Sequence, residues 1–453
     1  MGKQPRFKLA VLSGLILLAL GGCRSKPLQG DIADLRRLPQ TARYYLDPAT
    51  ADKPLMTPAV QHQESQRFLE IYFSPWQLEV AAPPEERVFQ PLHELMARSL
   101  HGANLLPYRQ EELRRLTDKC AVENFPAETQ RAISIRHTHI RALPTDKPGF
   151  ADPLRAGEGF PFDYFQYSAL RADTPARILH RSRNGAWSLV MTPHVSGWVP
   201  SSDLALVDED FVAAFQTGSY LAVIREETFL SDLSGEFHRS LSIGALLPRV
   251  GTNSLPGQVL TAAADGDGKA VLRTAIASPE AVAAWPLPAT AAVVAELLEQ
   301  LIGQSYGWGG LYGGRDCSAT LQDLFAVIGL SLPRNSARQI TAGQPVDLRN
   351  LAPAAREKLL IQEGRPFFTL VGLPGHIMLY LGHTNGEAVV AHTLWGLRTR
   401  SYGRGEERHL IGRTVITSLQ PGRELRNLKR PDGLLRRRLE AFTLLEQGVD
   451  PGD

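Results

Sequence analysis

Cysteine is scarce in this chain of 453 residues: Cys23, Cys120 and Cys317 are the full set. Excess charge is scarce too. The net charge is only +2 and no long basic run interrupts the body of the chain, which leaves no case for a nucleic-acid partner. The basic stretch Arg436-Arg437-Arg438 near the end reads as a solvated helix face. Only one apolar run of any length stands near the start, Leu9 to Leu20, and it is too short for a comfortable transmembrane helix. No exact internal repeat is visible. What the chain does have is 43% hydrophobic and 21% charged residues, as expected of a folded soluble protein, and a length that predicts two to four domains.

The N-terminus has its own logic. Lys3, Arg6 and Lys8 precede the apolar run, and Leu20-Gly21-Gly22-Cys23 follows it. That order of charge, short apolar core and small residues is the layout of a secretory signal, assigned here to residues 1–22. Leu-Gly-Gly-Cys resembles the bacterial lipoprotein processing site, which makes Cys23 the lipidated first residue of the mature chain. Acyl chains there would hold the protein at a membrane face without a spanning helix. The plainer alternative is a cleaved signal or a short anchor with Cys23 incidental. Arg24 is not the Asp that commonly retains lipoproteins at the inner membrane, so the expected location is the outer membrane, facing the periplasm. Two cysteines then remain. An oxidising space would allow them to pair, or one stays free because its thiol does work.

The rest of the chain divides by pattern. Residues 23–60 are rich in Pro, Arg, Asp and Thr and read as a tether. Residues 61–131 read as helical: Phe68, Ile71 and Tyr72, then Leu92, Leu95, Met96 and Leu100, recur at three- and four-residue spacing, broken at Phe73-Ser74-Pro75-Trp76. Short β-rich pieces separated by Gly, Pro, Asp and Asn then predict two small barrels, 132–208 and 209–285, with a hairpin at Asn184-Gly185. Pro286 to Pro288 marks a boundary. A catalytic region at 286–420 opens with an amphipathic helix from Ala289 to Leu301, and 421–453 reads as a tail. The class expected is α+β.

Chemistry gathers in the catalytic region. Tyr306 to Gly314 contains five glycines in eight residues, a loop whose backbone can pass close to something else. Asp316-Cys317-Ser318 then opens a helix with Leu321, Leu324, Phe325 and Ile328 on one side. Asp316 stands at the N-cap and Cys317 in the first turn. The helix dipole there favours a thiolate, but by only about 0.3–1 kcal/mol, less than the roughly 1.4 kcal/mol of one pKa unit. A neighbouring imidazolium must supply the rest. Twelve histidines make a lone His uninformative. His376, however, follows Leu373-Pro374-Gly375 at the mouth of an apolar strand, and His392 ends the strand-like run Ala388 to Ala391. Two adjacent strands can present one as base and the other as its orienter; the bland alternative is two ordinary strand-end histidines.

In combination, the Gly-rich loop, the Asp-Cys-Ser helix start, the Gly-His strand start and the second His resemble the NlpC family of cysteine peptidases. Tyr306-Gly307-Trp308-Gly309-Gly310, Leu332-Pro333-Arg334 with Ser336, and Gly375-His376-Ile377-Met378-Leu379-Tyr380-Leu381-Gly382 match further. The family commonly has Asp-Cys-Ser-Gly; Ala319 stands in place of that Gly, and an Ala is tolerable inside a helix. Upstream, Phe73-Ser74-Pro75-Trp76, Phe162-Asp163-Tyr164-Phe165-Gln166 with Ser168, and Gly197-Trp198-Val199 are similar to the branch with an N-terminal helical stabilising domain and two bacterial SH3-like barrels. The resemblance implies a papain-like catalytic domain. Cys317 would be nucleophile, His376 base and His392 the orienting residue, with no metal or cofactor.

The resemblance also implies the substrate: peptidoglycan stem peptides or the free murein tripeptide, cut between γ-D-glutamate and a diamino acid, with the free amine of an N-terminal L-alanine held near the nucleophile. Asp316 is then either counter-ion to that amine or simply a helix cap, and Ser318 and Ser336 contribute hydrogen bonds. Tyr306 and Trp308 wall the cleft, or pack as core. Asp163 and Tyr167 belong on a barrel wall leaning over it. Three other readings stay open: a non-catalytic wall-binding adaptor, an amidase or acyltransferase on the same core, and a Cys120–Cys317 disulfide that would abolish the nucleophile.

Overall fold

The computed structural model describes residues 30–77, 83–126, 129–232, 234–235, 238–251, 255–401, 405–429 and 433–445. Cys23 and the signal segment 1–22 lie outside the described residues. Residues 32–60, expected as a tether, instead fold onto the C-terminal body. Helix α1 (Ala33–Arg37) buries Asp34, whose carboxylate accepts hydrogen bonds from Ser418 N (2.8 Å) and Ser418 Oγ (2.7 Å). Gln40 pairs reciprocally with the Ile416 backbone, donating to its carbonyl (2.8 Å) and accepting from its N–H (2.9 Å). These partners lie hundreds of residues away, beyond the reach of periodicity.

The helical region is as expected. Helix α2 (Pro58–Phe73) starts where Thr57 caps Val60 N and Pro58 fills the first turn, where a missing N–H is harmless. It ends at Ser74-Pro75-Trp76, because Pro75 cannot continue it. That break is also a joint. Trp76 Nε1 donates to Ala132 O (2.7 Å), and Pro75 O accepts from Arg177 Nε (2.8 Å), so the motif docks on the first barrel. Helices α3 (Glu85–Met96) and α4 (Gln110–Asp118) pack Phe89, Leu92, Leu95 and Leu116 under the same barrel against Phe165 and Trp198.

The first barrel comprises β1 (Gln130–Ser134), β2 (Thr138–Arg141), β3 (Gln166–Leu170), β4 (Pro175–Arg181), β5 (Trp187–Met191), β6 (Ser196–Pro200) and β7 (Leu204–Leu206). They form one sheet in the order β3-β2-β6-β5-β4-β1-β7. The Asn184-Gly185 turn joins β4 to β5, with Gly185 at φ +69° as a tight hairpin needs. Helix α5 (Glu209–Phe215) leads to the second barrel: β8 (Tyr220–Val223), β9 (Thr228–Ser231), β10 (His238–Leu241), β11 (Leu246–Pro248), β12 (Gln258–Ala264), β13 (Ala270–Ala277) and β14 (Val282–Ala284). These make sheets β10-β9-β13-β12 and β11-β8-β14. A buried Asp173 bolts barrel to barrel, accepting from Arg239 Nη1 (2.6 Å), Thr261 Oγ1 (2.7 Å) and Ala262 N (2.7 Å).

The catalytic region contains α6 (Ala291–Leu301), α7 (Cys317–Val327), α8 (Ser336–Gln339), β15 (Gln344–Asp347), α9 (Pro353–Glu363), β16 (Thr369–Leu373), β17 (His376–Thr384), β18 (Glu387–Ser401), β19 (Gly405–Ser418), α10 (Leu435–Arg438) and β20 (Ala441–Leu444). The antiparallel sheet runs β15-β20-β16-β17-β18-β19. Leu321, Leu324 and Phe325 of α7 pack with Val294, Leu298 and Leu301 of α6 against Ile377, Leu379 and Val389. The expected tail therefore needs correction over its described part. β20 inserts between β15 and β16 and buries Phe442, satisfying the N–H and C=O groups that β16 would otherwise leave unpaired. Nor is Arg436-Arg437-Arg438 simply a solvated face: Arg436 pairs with Glu357 (3.0 Å), and only Arg437 is fully exposed. Among the described residues no helix is long and apolar enough to cross a membrane.

Candidate active site

Two glycines explain how the loop before Cys317 sits. Gly309 (φ +56°) and Gly310 (φ +84°) adopt left-handed backbone, and a Cβ on either would stand 2.7 Å from Gln166 Cγ or 2.4 Å from Ala169 Cβ. The loop is thus pressed against β3 of the first barrel, where Gln166 Nε2 donates to Gly309 O (2.7 Å). Trp308 reaches the same barrel, its Nε1 donating to Asp163 O (2.9 Å). Asp163 itself is buried, binding Arg141 (2.7 Å) and the N–H groups of Gly149 and Phe165; it shapes the wall from behind.

Asp316 is the N-cap of α7, accepting from Ala319 N (2.9 Å), and Cys317 is the first helical residue. Arg334 grips the same carboxylate with two nitrogens, at 3.1 Å on Oδ1 and 2.7 Å on Oδ2. It also donates to Ser318 Oγ (2.9 Å) and, across the domain boundary, to Ser168 Oγ (2.8 Å). Gly309 N and Ser318 Oγ complete the donors to Asp316 (3.0 and 3.1 Å). Burial alone would raise the carboxyl, but Arg334 and the two N–H groups outweigh it and hold Asp316 below its ordinary value. Sequence reasoning quotes Arg334 within Leu332-Pro333-Arg334 but assigns it no role; its use depends on which carboxylate it meets, and that partner lies in another element.

The two histidines meet. His376 opens β17, His392 lies inside β18, and His376 Nε2 is 2.7 Å from His392 Nδ1. Their tautomers follow from the next link. Thr417 Oγ1 donates its one proton to Ser418 O (2.8 Å), so at 3.0 Å it accepts from His392 Nε2–H. His392 Nδ1 then carries a lone pair and accepts from His376 Nε2–H. That leaves His376 Nδ1 as the basic nitrogen. The backbone of Ile377, the residue after His376, and of Ser318 act on the Cys317 thiol in the direction that favours thiolate.

Ionisation differs from the sequence expectation. Burial, reinforced by Asp316, pushes the Cys317 thiol up to about 12. Burial, reinforced by Arg438, pushes His376 down to about 4. Desolvation therefore outweighs the helix dipole, which contributes less than one pH unit, and favours neutral thiol and neutral imidazole. Tyr306 keeps its proton well above the usual range, first through burial and then through Asp316 and Cys317. Its ring packs on Trp395 (5.7 Å).

Cys317, His376, Asp316, Ser318, Tyr306, Trp308 and Ser336 all line one cleft of about 980 Å³, whose far wall includes Tyr167 and Gln166 of the first barrel. His392 lies behind it, buried. Cys120 and Cys317 are both free thiols, so the disulfide alternative is not realised.

Four family models match in chain order: the NLPC_P60 stabilising domain, N term, at residues 11–125; the SH3 domain of SH3b1 type at 148–200; the SH3 domain of SH3b2 type at 208–253; and the NlpC/P60 family at 303–404. Residues 303–404 are an NlpC/P60 family domain. An NlpC/P60 endopeptidase from Photobacterium damselae subsp. piscicida is 25% identical, superposes with a TM-score of 0.82, and is matched over 94% of this chain and 99% of its own. An NlpC/P60 family protein from Bacillus cereus ATCC 10987 is 14% identical with a TM-score of 0.46, over 71% of this chain and 100% of its own. No curated protein matches. As an NlpC/P60 chain it is a cysteine peptidase by family, with a helical stabilising domain and two SH3b domains preceding the catalytic one.

Proposed function

We propose that this NlpC/P60 chain is a lipid-anchored endopeptidase of peptidoglycan stem peptides, hydrolysing the bond between γ-D-glutamate and a diamino acid in peptides with a free N-terminal L-alanine. The observation that carries the reading is that Cys317 and His376 line one cleft, with His376 backed by His392 and His392 by Thr417, and that Asp316 is the one carboxylate lining it among the described residues. An incoming N-terminal ammonium would take that carboxylate as its counter-ion and share it with Arg334. Anchoring through Cys23 at the outer membrane, facing the periplasm, is part of the proposal and rests on the sequence around that residue.

The chemistry follows from the tautomers. His376 Nδ1 takes the thiol proton as sulfur attacks the γ-carbonyl, and the resulting imidazolium is held by His392 Nδ1. Formed together, thiolate and imidazolium compensate each other in a way neither burial-shifted group does alone. The tetrahedral oxyanion meets N–H groups at the start of α7, with the Tyr306 hydroxyl, kept protonated, as a further donor. His376 Nδ1–H protonates the departing amine. Water then attacks the thioester, giving a proton to His376, which passes it to the Cys317 sulfur as the C–S bond breaks and the acid is released.

The test is incubation of the purified chain with L-alanyl-γ-D-glutamyl-diaminopimelate, followed by product mass. Native protein is expected to release the dipeptide and free diamino acid, and Cys317→Ala to release none. Intact peptide from both proteins would leave a wall-binding adaptor as the better account. A product joined to an added amine would indicate acyl transfer.

A further inference from the structure

Charge around the cleft is lopsided. Beyond the Asp316–Arg334 pair, its lining includes Arg338, Arg398, Arg408 and Arg438 and, among the described residues, no further carboxylate. Arg338 and Arg398 are exposed; Arg408 donates to the carbonyls of Phe160 (2.7 Å) and Arg155 (3.0 Å), tying β19 to a loop of the first barrel.

Arg438 is placed differently. It ends α10, which is pinned from three directions. Leu435 and Leu439 are buried in the core with Val371 and Phe442. Arg436 N donates to Leu419 O (2.8 Å), and Arg436 Nη1 pairs with Glu357 (3.0 Å). From this base Arg438 Nη2 donates to Pro374 O (3.1 Å), two residues before His376. Its charge also acts on the His376 ring. So a guanidinium sits beside the group that hands a proton to the leaving amine. In any amino acid released through its amine, the α-carboxylate stands only two bonds from that nitrogen, each about 1.5 Å. A guanidinium with five N–H donors matches a carboxylate in shape and charge.

We infer that Arg438 forms a carboxylate-binding subsite on the leaving-group side of the cleft, selecting peptides whose released amino acid carries a free carboxylate. The inference rests on the proposed stem-peptide activity and deepens it. Helix α10 and strand β20 thereby gain a purpose beyond closing the sheet: they carry a specificity residue to the base.

The experiment compares L-alanyl-γ-D-glutamyl-diaminopimelate with the same tripeptide carrying carboxamides on the diaminopimelate, using the full chain. Native protein is expected to favour the carboxylate form by about tenfold or more in kcat/KM, the order of one charge-assisted hydrogen bond. In Arg438→Gln the ratio is expected to fall to within about twofold of unity, and Arg438→Lys, which keeps the charge without the fork, to lie between. A purely structural role would lower both substrates by the same factor and leave the ratio intact, which would overturn the inference; equal turnover of both forms by native protein would do so as well. Calorimetric binding of the two tripeptides to Cys317→Ala reads the same ratio without turnover. A preference seen in binding but with no hydrolysis by native protein would sink the peptidase reading and keep the subsite; absence of binding by either peptide would remove the subsite.

Discussion

At the scale of single residues, the site is governed by what burial does to charge. The thiol at about 12 and the imidazole at about 4 bracket the physiological range from outside, so both groups are neutral within it. A raised thiol value means the sulfur is protonated below it and gains thiolate character only as pH rises. Alkylation of Cys317 by iodoacetamide is therefore expected to accelerate about tenfold per pH unit between about pH 6 and pH 9, without levelling off. A plateau starting below about pH 7 would show a standing thiolate–imidazolium pair and sink this account. The second residue-scale consequence concerns His392, which acts by accepting from His376 Nε2–H. Asn can also accept there and Ala cannot. His392→Asn is expected to keep kcat within about tenfold of native, and His392→Ala to lose about a hundredfold or more, with KM little changed in both. Equal losses would mean that the ring's bulk matters and its lone pair does not.

Elements matter because two of them from different domains touch beside Cys317. The glycine loop lies against β3 so closely that Gly310 has no room for a methyl group, whereas Gly313, also left-handed at φ +71°, has nothing within 4 Å. Both Ala substitutions carry the backbone penalty of about 1 kcal/mol, so their difference isolates the clash. Gly310→Ala is expected to lower the urea midpoint by an amount corresponding to about 2–3 kcal/mol more than Gly313→Ala does. Equal midpoints would mean that the barrel does not confine the loop. The sequence announces this loop plainly, since five glycines so close together serve little else. It does not announce the surface they approach. Likewise Asp316 is legible as a helix cap from Asp-Cys-Ser alone, because capping is decided within four residues. That the same carboxylate is gripped by Arg334, itself tied to Ser168 on the barrel, needs three separate elements brought together.

On the scale of the whole molecule, a buried ion network joins helix α7, which begins at Cys317, to both barrels. Asp323 of α7 pairs with Arg171 from the first barrel and with Arg315 (2.7 Å), and Arg315 pairs with Glu226 from the second (2.7 Å). Burial would raise Asp323, but the two arginines overcome it and hold it below its ordinary value. Asp316 is depressed in the same sense. A depressed carboxylate contributes stability that is complete above its unfolded value, about 4, and is lost as pH falls through the folded one. The melting temperature is therefore expected to fall on acidification below about pH 4. Asp323→Asn is expected to cost about 3–5 kcal/mol at neutral pH, through the stranded arginines, and to flatten the acid limb. Parallel Tm-against-pH curves for native and variant protein would assign the acid loss to other carboxylates.

The chain's order of domains and the placing of Cys317 at a helix start and of two histidines on neighbouring strands were legible in sequence alone, because each rests on local rules: helix capping, proline breaks, hairpin turns and the period of buried strands. Tertiary structure decided the rest. It turned an apparent tether into a strap on the catalytic body and a described part of the tail into an inserted strand. It also set the charge state of the site and brought Arg334 and Arg438 to their partners. All of these depend on solvent exclusion or on contacts between residues far apart in the chain, and no short stretch of sequence encodes how much water a fold removes.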